Sequence, residues 1–79
     1  MRINHLIYND ILGQYYIVQH KDYRNEKNKT NFGADFSLKD LKKIIGDDRS
    51  TLYLKNIPED IEMRVRRNLS SKIEIFVSN

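Results

Sequence analysis

The segment from Thr51 to Val77 restricts this chain's fold more than any other stretch. In Thr51-Leu52-Tyr53-Leu54-Lys55 the side chains alternate. Leu52 and Leu54 point one way; Thr51, Tyr53 and Lys55 point the other. Ile57, Ile61, Val65 and Leu69 then recur every four residues, the spacing of one apolar helix stripe. Residues 72–77 alternate again, with Ile73, Ile75 and Val77 on one side and Lys72, Glu74 and Phe76 on the other. This is a strand–helix–strand unit. A right-handed crossover would set its two strands parallel in one sheet. The outward set includes Lys55, Lys72 and Glu74, so the second sheet face can meet water.

The helix of this unit should run from about 57 to 69. Asn56 and Glu59 have the spacing of a capping box, and Pro58 is tolerated in a first turn. Asp60–Arg64 and Glu62–Arg66 are i, i+4 pairs in the favourable order. Upstream, Ser37 can cap a helix over 38–45. Leu38, Leu41, Ile44 and Ile45 form its buried stripe, and Gly46 suits its C-terminal cap. Residues 2–8 and 14–20 carry enough β-branched and aromatic side chains for two strands. Asn9-Asp10 and Gly13 between them mark a turn, so an antiparallel hairpin is the expected pairing. Residues 21–35 are polar and have no apolar period. They read either as a long surface loop or as an extension of the hairpin through Arg24.

The expected fold is therefore a single α+β domain over 1–79. It is a two-layer sandwich in ββαβαβ order, with a mixed sheet of about four strands and two helices on one face. Its 79 residues make a thin core. The chain has no cysteine, so disulfides and thiolate chemistry are excluded. No apolar run approaches the ~18 residues of a membrane span, and no secretory signal is evident. A cytoplasmic location is the expectation. The formal charge is +3, a mildly basic balance. Ile, Lys, Asn and Tyr make up 31 of the 79 residues, a bias that suggests a low-GC origin such as a bacterium, a phage or a mobile element.

Motifs for cofactors are missing. The three glycines are scattered, so no phosphate-cradling loop forms, and no H-E-x-x-H or other metal spacing occurs. No cofactor and no metal are expected. His5 and His20 fall in adjacent strands and could be neighbours, although polar strand positions account for them more simply. Asp47-Asp48 reads as a solvated turn balanced by Arg49. A domain this small has little volume for a catalytic pocket, so no enzyme is expected.

Two local resemblances touch residues 51–69. The strand and helix start Thr51-Leu52-Tyr53-Leu54-Lys55-Asn56-Ile57-Pro58-Glu59 resembles the ribbon-helix-helix DNA binders. That resemblance implies that Thr51, Tyr53 and Lys55 enter a major groove. The family's second helix is replaced here by Ser70-Ser71 and a strand. The stretch from Leu52 to Glu59 also resembles the first strand of the RNA recognition motif, which implies base stacking on Tyr53. The aromatic third strand of that family does not follow before Asn79. Neither likeness extends through the chain, and neither is taken as its family.

Candidate binding residues fall on two surfaces. With Ile61 and Val65 inward, Met63 and Arg67 project from the helix, flanked by Arg64 and Arg66. Tyr53, Lys55 and Phe76 share the outward side of the sheet, where Tyr23 or Phe32 from the 21–35 segment could cover them. Two functions follow. The first is a small non-catalytic protein that binds a host or cognate protein, such as a phage or mobile-element inhibitor of a host enzyme or defence system. The alternative is a nucleic-acid-binding module. It would use the basic face of helix 57–69 with Lys42, Lys43, Lys55 and Lys72, and Tyr53 or Phe76 for stacking. An edge strand, 2–8 or 72–77, could also pair in a homodimer.

Overall fold

The computed structural model describes residues 2–78. Five strands form one sheet: β1 (Arg2–Asn9), β2 (Gln14–Gln19), β3 (Thr30–Gly33), β4 (Ser50–Lys55) and β5 (Ile73–Ser78). Two helices, α1 (Leu38–Ile45) and α2 (Glu59–Asn68), complete the α+β fold. The strand order is β3-β2-β1-β4-β5. β1 pairs antiparallel with β2 and parallel with β4, and β4 pairs parallel with β5. The strand–helix–strand unit thus adopts the parallel pairing its sequence implies.

Strand register decides which face is buried. Leu6 stands opposite both Ile17 and Leu54, and Leu52 stands opposite Ile75. Leu41 and Ile45 of α1 and Ile61 and Val65 of α2 pack onto this one side, with Tyr15 and Ile73. Phe32 and Phe36 extend the cluster through Tyr15, ring centroids 5.4 to 5.9 Å apart. The opposite register positions, Ile3, His5 and Ile7, Tyr16 and Val18, Thr51, Tyr53 and Lys55, Glu74 and Phe76, form the second face. Neither helix covers that face.

Capping chemistry explains the helix ends. The Ser37 hydroxyl accepts the Asp40 N–H at 3.3 Å, and Gly46 takes a positive φ of 72° at the end of α1. The start of α2 differs from expectation. Asn56 does not cap it; its φ is +58°, and Pro58 occupies the cap position with no side-chain bond. A residue before proline is driven out of the helical region, so Ile57 cannot open the helix. Of the two expected ion pairs, only Glu62–Arg66 forms among the described residues, at 3.0 Å.

The 21–35 segment is neither a plain loop nor an extension of β2. A 3-10 turn (His20–Asp22) ends β2, and the chain returns as β3. Asn31 Nδ2 donates to Gln14 Oε1 at 2.8 Å, and the Gly33 N–H donates to Asn31 Oδ1 at 2.7 Å. These polar bonds, anchored by Phe32, give the sheet its fifth strand. β3 and β5 are therefore the sheet edges. Residues 2–8, an expected edge, form the central strand, because β4 pairs on their second side.

Candidate functional site

The helix-free face carries a row of aromatic rings that crosses the sheet. Tyr23, just beyond the 3-10 turn, stacks on His5 of β1 with centroids 4.0 Å apart and planes 12° apart. His5 stacks on Tyr53 of β4 at 5.1 Å, and Tyr53 on Phe76 of β5 at 5.5 Å. Register produces this alignment, since His5 is opposite Tyr53 and Tyr53 opposite Phe76. Rings lying side by side in one plane would need wider spacing. At these separations they lean on one another as offset stacks. His5 and Tyr53, each stacked on both sides, turn ring edges outward, and Phe76 at the sheet edge is 46% exposed.

A second histidine joins the row. His5 Nε2 and His20 Nδ1 lie 2.9 Å apart, a hydrogen bond in which one ring donates and the other accepts. Burial holds the pKa of His5 below its ordinary value, and the nearby positive charges of His20 and Lys55 push it further down. A neutral His5 suits both the bond and the stack. His20 also lines an open cleft of about 250 Å³ with Arg2, Ile3, Gln19 and Lys21. Two of its five lining residues are cationic and none is acidic. On the far side of β2, Lys29 Nζ lies 4.7 Å from the centre of the Tyr16 ring. Among the described residues no group of three His, Cys, Asp or Glu side chains could hold a metal ion.

The structure separates the seven candidate residues into two sets. Tyr53, Lys55 and Phe76 lie on the ring-bearing face. Met63, Arg64, Arg66 and Arg67 lie on the exposed side of α2, beyond the helix layer. One flat partner cannot touch both sets at once. α2 is also electrically balanced, with Glu59, Asp60 and Glu62 against its three arginines, and Arg66 is engaged by Glu62. Tyr23 does cover part of the outward face, but it covers His5, not Phe76. Phe32 packs on the helix side instead.

Sequence reasoning placed His5 next to His20 without assigning them to a site, and it missed the row itself. The signal available was the parity of His5, Tyr53 and Phe76 in three strands. It becomes a row only once β1 is known to pair with β4. A comparison with protein-family models, curated proteins and solved structures finds no match to this chain.

Proposed function

We propose that this chain binds single-stranded nucleic acid across the helix-free face of its sheet. The observation that carries this reading is the row Tyr23–His5–Tyr53–Phe76, four rings aligned across neighbouring elements. Unpaired bases stack on exposed aromatic rings with little regard to sequence, because every base has a π face, and the ends of the row, Phe76 above all, offer that contact. Lys55 beside the row and Lys21 in the cleft at one end supply positive charge for the phosphates, while Arg2 is turned to the helix side by its bond to the Ile44 carbonyl. Duplex DNA fits this face less well, since nothing on it projects as a helix or ribbon into a groove.

The test is a fluorescence-anisotropy titration of a labelled single-stranded oligonucleotide with the wild-type protein and with Tyr53→Leu. Leucine keeps the apolar bulk on β4 and removes the ring. Loss of one stacking platform should weaken binding about 5- to 150-fold, equivalent to ~1–3 kcal/mol. Equal affinity for both proteins would refute the reading.

A second reading keeps one observation in its favour. Ile11 and Leu12, at the tip of the β1–β2 hairpin, are 91% and 66% exposed. The Asn9 side chain holds this tip by accepting both of their N–H groups, at 3.0 and 3.2 Å. An ordered apolar tip is suited to a pocket on another protein, as an inhibitory or other protein-binding role requires. Ile11→Ser with Leu12→Ser would abolish such binding and leave nucleic-acid affinity unchanged.

A further inference from the structure

The two sheet edges are built differently. β3 is short, Thr30–Gly33, and its register with β2 is broken by an irregularity between Tyr15 and Tyr16. Short, irregular edges resist pairing with another chain. β5 has none of these protections. It spans six residues, Ile73–Ser78, in continuous register with β4, and contains neither proline nor lysine. Phe76 and Val77, on its two faces, are 46% and 49% exposed.

The free backbone groups of β5 can be assigned. Ser50 is opposite Ile73, and its N–H donates to the Lys72 carbonyl at 3.4 Å. Bonding in a parallel ladder alternates along the strand. Glu74 and Phe76 therefore turn their backbone groups toward β4, and Ile75 and Val77 turn theirs outward. The Ile73 N–H is already given to Ser70 at 3.0 Å.

We propose that β5 pairs antiparallel with β5 of a second copy of this chain, with Phe76 opposite Phe76 across a two-fold axis. In this register Ile75 stands opposite Val77, so every outward N–H and C=O of those two residues finds a partner. Glu74 stands opposite Ser78, so no like charges face each other. Phe76 occupies a non-hydrogen-bonded pair, where side chains come closest. The exposed end of the ring row is then covered by the same end of the second row, and two rows become one. Ile75 and Val77 extend the helix-side apolar surface in the same way. A two-fold interface of this kind closes on itself and leaves only the guarded β3 edges free.

The inference rests on the β5 edge, not on nucleic-acid binding, and the two are tested apart. Sedimentation equilibrium without nucleic acid, over a wide protein concentration range, should show a monomer–dimer equilibrium. Hydrogen exchange of the wild-type protein should show the Ile75 and Val77 amides protected at high concentration and fast at low concentration. The Glu74 and Phe76 amides should be protected at both. Val77→Pro removes an outward donor without touching the β4 ladder, and should yield a monomer. A monomer at millimolar wild-type protein overturns the proposal. So does a dimer whose Ile75 and Val77 amides exchange as fast as in the monomer. The exchange experiment needs no variant, so it decides the matter even if Val77→Pro does not fold.

Discussion

Ser50 begins β4 against the core and is 2% exposed, yet its hydroxyl has no hydrogen-bond partner among the described residues. A hydroxyl taken from water and left unpaired costs about 1–3 kcal/mol. Ser50→Ala removes that group and keeps the strand backbone, whose N–H remains bonded to Lys72. Only one heavy atom is lost, so the cavity term is small beside the desolvation recovered. The variant should be more stable by about 1 kcal/mol, a rise in Tm of roughly 4–8 °C for a domain of this size. Differential scanning calorimetry, with urea denaturation as a check on unchanged m, measures it. Destabilisation by more than about 0.5 kcal/mol would show instead that the hydroxyl is satisfied in the folded protein.

Other outcomes follow from the same structure. Leu54 is fully buried in β4, between Leu6 and the helices, so Leu54→Ala should cost about 2–5 kcal/mol and leave much of the protein unfolded in a thermal melt. His5, facing His20, Tyr23, Tyr53 and Lys55, has a lowered folded pKa, so the unfolded chain binds more protons below about pH 6.5. Its contribution to stability is present above that value and is lost as pH falls through the folded pKa. Urea midpoints should drop between about pH 7.5 and pH 5.5, and His5→Gln should flatten the change. Met63→Asp with Arg67→Glu alters only the outer side of α2 and should leave oligonucleotide affinity within about twofold. Gly46→Ala places a side chain at φ +72° and should lower stability by about 1 kcal/mol in denaturant titration.

Local signals in the chain translate into structure where one element suffices. Ser37 and Gly46 bracket α1 at the residues expected, and the fourfold spacing of Ile57, Ile61, Val65 and Leu69 does face the core. The signal fails where a distant partner decides. Thr30–Gly33 has no alternation of its own and becomes a strand because β2 offers an unpaired edge and Gln14 meets Asn31. Residues 2–8 look like an edge because their neighbour in sequence is β2; their second neighbour, β4, arrives more than 40 residues later. Asn56 was outweighed as a cap by the steric demand of Pro58 two residues on. The ring row depends on both kinds of information. Parity puts His5, Tyr53 and Phe76 outward, and only the β1–β4–β5 order brings them into line.

Binding of single strands by the ring-bearing sheet face has two signatures, salt dependence and preference over duplex. Titrating a labelled single-stranded oligonucleotide at about 50 mM and about 200 mM salt, with unlabelled duplex as competitor, tests it most directly. Micromolar affinity at the lower salt, weaker binding at the higher and poor competition by duplex are the expected results. No binding at ~100 μM protein in the lower salt, or equal competition by duplex, would contradict this mode of binding.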